Sequence, residues 1–374
     1  MKKKILAVFI LVIFGFLFFS ITAFAYCGED KTEECGEDTS SDIIKDFSEV
    51  IPEESGISIE ENDLLESVGF DAIFRGIVNS LAGEKSRIIS FFLTVIGFAV
   101  LSVVCDLVSL SGEGAQRSAS VGLFVIMSVT VYPTVYSVFE SVRESLESVT
   151  SFFGAALPIM TAINAASGAV KTAGVQAMNM NIVLGIVGAI AAKLLLPLSF
   201  AMLALALVSS FGDAGTASVA KGIKSLFTFG LGIVTAVSSA AIALQTVIAS
   251  ASDSAALRAA RYAAGGLIPV VGSSVSSALS TLAGGLAYAK STVGAATIAV
   301  IALLALAPLI SLLIYRMIFS IAVSFLEYTG NSCGVRCFSS YKTAFDTVIS
   351  VYVMSTLVCI IQVIVFIKGG VSTV

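Results

Sequence analysis

After residue 87 the chain is a succession of long apolar blocks joined by short polar links. The blocks fall at 88–110, 119–139, 152–170, 181–211, 226–250, 263–289, 292–325 and 341–367. Each is too long and too continuous for a strand, so the pattern predicts an all-α, polytopic membrane body with about six to eight membrane segments. Length separates the blocks further. At 1.5 Å per residue the block at 181–211 runs about 46 Å against a hydrocarbon core of about 30 Å. It and the block at 292–325 must tilt, kink or leave the membrane, with Pro197 and Pro308 as the natural kink points. The blocks at 152–170 and 263–289 are weakened by Ser, Gly, Asn and by Pro158 and Pro269, and are expected to be re-entrant or broken.

The first 87 residues read differently. Lys2, Lys3 and Lys4, an apolar run over 5–21, and the small-x-small end Ala23-Phe24-Ala25 predict a cleaved signal peptide over 1–25; the rival reading is an uncleaved first span. Either exports residues 26–87. Residues 28–63 are acidic and poor in apolar side chains. From Leu64 to Leu81 apolar residues recur at helical spacing, which predicts an amphipathic helix lying on the membrane or on a partner.

Composition sharpens this division. The chain is 57% hydrophobic and only 13% charged, with no His and no Trp, so any interfacial aromatic belt must use its nine Tyr. The net charge of −5 resolves into −12 over 26–87, +4 over 88–374 and +3 from the N-terminal lysines. A cytosolic enzyme and a nucleic-acid-binding domain are excluded on this balance. There is no P-loop, no G-x-S-x-G and no imidazole to serve as a base, so the chain is read as a non-enzyme without cofactor or metal. Cys105 and Cys359 lie in apolar runs as packing residues. Cys27 and Cys35 lie outside, with a disulfide open to them, and the Cys333-x3-Cys337 pair is a weak zinc signal.

Charges inside the blocks are scarce. Lys193 sits four residues before Pro197, where it either faces a partner or snorkels; Arg316 and Glu327 share that ambiguity, and Asp106 is placed at an interface. Loop charges conflict, since Arg258 and Arg261 favour the cytoplasm and so do Lys221 and Lys224, one block away. Small residues crowd the blocks, as at Ser273–Ser277, and are read chiefly as helix packing. Pro158 and Pro197 are 39 residues apart, and so are Pro269 and Pro308, at an offset of 111. The spacing raises the question of two related units, 152–250 and 263–367, with Pro158 and Pro269 facing one another inside the body.

The run Arg-Tyr-Ala-Ala-Gly-Gly-Leu-Ile-Pro-Val-Val-Gly over 261–272, followed by the overlong Pro308 block and a terminal span ending Phe-Ile-Lys-Gly-Gly, resembles the stage III sporulation protein AE family. The order of export signal, acidic head and polytopic body agrees with it across nearly the whole chain. The loop Asn-Ser-Cys-Gly-Val-Arg-Cys at 331–337 does not belong to that resemblance. The resemblance implies a multi-pass protein of the mother-cell membrane around the forespore, its N-terminal head extracytoplasmic. It implies a channel or secretion-like complex as the working unit, with an ATPase, ring-forming membrane proteins and a forespore partner across the intermembrane space. A freestanding secondary transporter and a non-conducting scaffold are the alternatives. The residues singled out are Pro158, Lys193, Pro197, Pro269, Gly272 and Pro308.

Overall fold

The computed structural model describes residues 70–108, 113–166, 170–190 and 272–368, with isolated positions between 193 and 236. Five helices carry these residues: α1 (Phe70–Val108), α2 (Glu113–Ala166), α3 (Val170–Ala189), α4 (Gly272–Thr329) and α5 (Ser332–Lys368). Four helices among the described residues are long and apolar enough to cross a membrane, their candidate spans lying at Glu84–Cys105, Ser118–Ala166, Ala289–Thr329 and Ser332–Ile367.

α2, α4 and α5 form a long three-helix frame with two successive cores. The upper core joins Phe124–Val142 of α2 to Leu309–Leu326 of α4 and Cys337–Tyr352 of α5, and α1 closes it with Phe91, Val95 and Ala99. The lower core joins Val149–Ile163 of α2 to Val293–Ile301 of α4 and Cys359–Phe366 of α5, and α3 closes it with Met180, Val183 and Val187. α1 and α4 rise side by side in the same sense, because Glu84 meets Ser311, Phe91 meets Tyr315 and Phe319, and Ser102 meets Asn331. α2 and α5 descend. Rings dominate the upper core: Phe319 stacks on Tyr341 at 5.2 Å between centroids, and Phe139 meets Phe345 at 5.1 Å.

The turn between α4 and α5 is built from three local bonds. Gly330 adopts φ +78°, a left-handed conformation that suits glycine. Its amide donates to the Glu327 carbonyl (3.3 Å) and the Asn331 amide donates to the Leu326 carbonyl (3.2 Å), the two bonds of a Schellman motif. Asn331 then caps α5: its Oδ1 accepts from the Gly334 amide at 2.7 Å. The Asn331 amide nitrogen also donates to the Ser102 hydroxyl of α1, and both residues are buried. One asparagine thus ends one helix, starts the next and holds a third.

Several expectations change. The blocks at 119–139 and 152–170 are one helix, α2, with Pro133 and Pro158 inside it, so no re-entrant break occurs at Pro158. A proline inside a helix costs about 3 kcal/mol or more. Here Pro158 faces outward while Phe152, Phe153, Leu157, Met160 and Ile163 are buried on the other side, and their packing offsets the lost bond. Likewise 292–325 continues back to Gly272 within α4, without a link near 290. The stretch 331–337 is not a loop: beyond Asn331 it forms the first turns of α5, because the cap lets the helix begin there. The helical stretch expected at 64–81 starts, within the described residues, at Phe70 and runs unbroken into the first span. The signal peptide, residues 64–69, most of the blocks at 181–211 and 226–250, and Pro269 lie outside the described residues.

This turn can be tested directly. Asn331→Ala should lower stability by about 1–2 kcal/mol through loss of the cap, and Gly330→Ala by about 1–2 kcal/mol through the left-handed backbone. Thermal unfolding of the detergent-solubilised protein would read both. An unchanged midpoint for Asn331→Ala would mean that neither the cap nor the Ser102 bond holds the turn.

Candidate functional site

Two features of the interior stand out as more than packing. The first is where the two cores meet. Pro308 has no amide hydrogen, so the Leu304 carbonyl, four residues earlier on α4, has no helical donor. The Ser145 hydroxyl of α2 reaches it at 2.8 Å. One residue on, the Ala305 carbonyl accepts from the Tyr352 hydroxyl of α5 at 3.0 Å. The two hydroxyls lie 2.8 Å from each other. Three contacts are therefore served by two hydroxyl protons, and the three frame helices are tied at one level. Both Ser145 and Tyr352 are buried.

The second is a set of polar side chains buried in the lower part of the bundle. Lys290 of α4 is 3% exposed and its ammonium lies 5.3 Å from the centre of the Phe366 ring of α5. Its Nζ makes no hydrogen bond to any described residue. Gln362, one turn before Phe366, is fully buried and also lacks hydrogen-bond partners among the described residues. Across the core, the Asn164 amide of α2 donates to the Gln176 carbonyl of α3 at 2.6 Å, and Asn179 is buried beside them on α3. One turn on from Lys290 α4 and α5 approach tightly: a Cβ on Gly294 would overlap the Ile367 side chain. An uncompensated lysine in such a place is costly and is characteristically functional.

Among the described residues, those singled out from the sequence do not converge. Pro158 lies on the outward face of α2, because the core positions flanking it are spaced so that residue 158 falls opposite them; it does not line the interior. Lys193 and Pro197 are exposed, so Lys193 is not a buried intramembrane charge. Gly272 is the first residue of α4, and Pro269 lies outside the described residues. Pro308 is the exception, half-buried and at the centre of the hydroxyl knot. Arg316, ambiguous from the sequence, pairs with Asp346 of α5 at 2.5 Å; Glu327 is exposed near the end of α4. Lys290 escaped the sequence reading because it fell in the two-residue gap between two apolar blocks, the position expected of a link. Among the described residues, no group of three or more Cys, Asp and Glu could hold a metal ion.

The chain is similar to known proteins over most of its length. The profile of the family described as "Stage III sporulation protein AE" matches residues 60–370. The "Stage III sporulation protein AE" of Bacillus subtilis (strain 168) is 22% identical over 277 residues, which cover 72% of this chain and 69% of that protein. No solved structure matches.

The knot predicts a coupling. Pro308→Ala restores an amide donor to Leu304, so the Ser145 hydroxyl loses its special acceptor. Ser145→Ala should cost about 1 kcal/mol or more with Pro308 in place and measurably less in the Pro308→Ala background. A double-mutant cycle by thermal unfolding would read the difference; strict additivity would remove the link between the proline and the hydroxyl.

Proposed function

The chain belongs to the stage III sporulation protein AE family, and from that premise we propose that it is a membrane-embedded subunit of a secretion-like channel complex linking mother cell and forespore. It carries no chemistry of its own and works inside an assembly with an ATPase, ring-forming membrane proteins and a forespore partner. The complex resides in the mother-cell membrane around the forespore, and late forespore development depends on it. The observation that supports this reading best is the burial of Lys290, Gln362 and the Asn164–Gln176 pair inside the bundle. Polar side chains kept inside an apolar bundle, at a cost in stability, mark pathways for solutes or contact points that move. The same buried polar side chains would serve a freestanding secondary transporter, and reconstitution separates the two.

The test has two arms. Lys290→Met keeps the volume and removes the charge, so membrane insertion and helix content should be unchanged. Sporulation frequency should nonetheless fall by about tenfold or more, as expected where a buried ionisable side chain is functional. Normal sporulation by this variant would return Lys290 to a structural role. In liposomes, conductance should require the affinity-isolated complex; solute uptake by the purified chain alone would instead support the transporter.

A further inference from the structure

One line of α5, read at alternating steps of four and three residues, carries Ser332, Arg336, Ser339, Thr343, Asp346 and Ser350. Every one is polar, and every one is exposed or half-buried. Phe338, Phe345 and Tyr352 occupy the opposite side of the helix, in the core. α4 adds Arg316 and Ser320, one turn apart, beside this line. Arg316 pairs with Asp346, and Ser320 accepts from the Lys342 ammonium at 3.0 Å.

The other outward surfaces of the upper core are apolar. Leu93 of α1, Val129 of α2 and Met317 of α4 are all more than half exposed, whereas no large apolar side chain of α5 is exposed among the described residues. The polar line is about 27 Å long, close to a hydrocarbon core of about 30 Å. It runs beside the first candidate span, since Asn331 meets Ser102 of α1 at its upper end and Tyr315, next to Arg316, meets Phe91 of α1 lower down. Thr343 and Ser350 donate to carbonyls of their own helix, at Ser339 and Asp346, and hydroxyls held in this way are tolerated against lipid. A guanidinium, an ammonium and a carboxylate at membrane depth are not tolerated there; they face protein or water.

The charge along this face is uneven. Arg316 and Asp346 balance one another. Lys342 has a neutral partner in Ser320, Arg336 stands exposed above it, and the exposed Glu327 of α4 lies beyond both, near the α4–α5 turn. Between Glu327 and the Arg316–Asp346 pair the surface is therefore cationic.

We propose that this face of α5 and α4 is the wall that the chain contributes to a water-filled conduit, and that the conduit passes anionic solutes. The inference rests on the reading of the chain as a channel subunit and names the surface that lines the path. The hydroxyls offer hydrogen bonds to a hydrated solute, while Lys342 and Arg336 attract anions and repel cations. The apolar faces of α1 and α2 are left for lipid.

Cysteine labelling tests both parts. Ser339→Cys, Thr343→Cys and Ser350→Cys change side-chain size little; Leu93→Cys and Ile126→Cys serve as lipid-facing controls. Membranes from sporulating cells, open to reagent on both sides, are treated with an anionic sulfonatoethyl or a cationic trimethylammonioethyl methanethiosulfonate. Peptide mass spectrometry then assigns modification to each position, separately from the native cysteines. The three α5 positions should react about tenfold or more faster than the two controls, as exposed thiols do. Relative to free cysteine, the anionic reagent should be favoured about threefold or more at Thr343→Cys, and Lys342→Gln should remove that preference. Rates at α5 no higher than at Leu93→Cys would overturn the conduit wall, and oxidative cross-linking of Ser339→Cys between copies would then identify a second copy as its cover. Equal preference for the two reagents would overturn the assignment to anions. Should one α5 variant fail to fold, the other two carry the measurement. Labelling needs no conductance: a non-conducting complex leaves it readable, and a conducting complex with unreactive α5 positions would refute the wall while keeping the channel.

Discussion

A proline cannot give an amide hydrogen to its own helix, and at residue 308 that deficit falls at the height where the two cores meet. The orphaned carbonyl of Leu304 would be costly in an apolar interior. Instead it becomes the acceptor for Ser145, while Tyr352 secures the neighbouring carbonyl of Ala305. The defect in one helix is thereby converted into the tie between three. Apolar packing alone discriminates poorly between registers of long helices. A directed hydroxyl that must find one particular carbonyl fixes the vertical register of α2 and α5 against α4, and with it the pairing of Phe139 with Phe345 above and of Lys290 with Phe366 below.

The sequence disclosed the class of fold and the family, and the reason is that both rest on average hydropathy and on a local run of residues. It concealed where helices begin and end. Charges at Glu140, Arg143, Glu144 and Glu147 divide α2 into two apolar blocks when hydropathy is averaged. Yet Phe124, Val131, Val138, Ser145 and Phe152 recur every seven residues, straight through the charged stretch, and all are buried. The face continues although the average does not. Pro158 suggests a break in composition and makes none in the structure: a proline's effect depends on the face it occupies, which composition does not reveal. The Thr-Gly-Asn turn at 329–331 was readable from its residue types, with glycine closing one helix and asparagine capping the next.

The buried lysine illustrates a different blind spot. Lys193 was conspicuous because it stands within a long apolar run, whereas Lys290 stands between two runs. In three dimensions their situations are reversed, with Lys193 exposed and Lys290 buried beside a tight contact of α4 with α5. Burial of a charge is a property of the neighbours that converge on it. Those at Lys290 come from α5, more than seventy residues away in the chain.

The continuity of α2, α4 and α5 through both cores also has a mechanical meaning. Each is a stiff strut fixed near its middle by the Ser145–Tyr352–Pro308 knot, and a strut held at its middle is a lever. With about 48 Å of α2 above that fulcrum and about 32 Å below it, a tilt of about 5° moves the two ends by about 4 and about 3 Å, in opposite directions. Displacement of the α4–α5 turn at one extreme is thus returned at the α2–α3 end with its sense reversed. Because Pro308 leaves α4 with the weakest backbone at the fulcrum, that strut bends where the others only pivot.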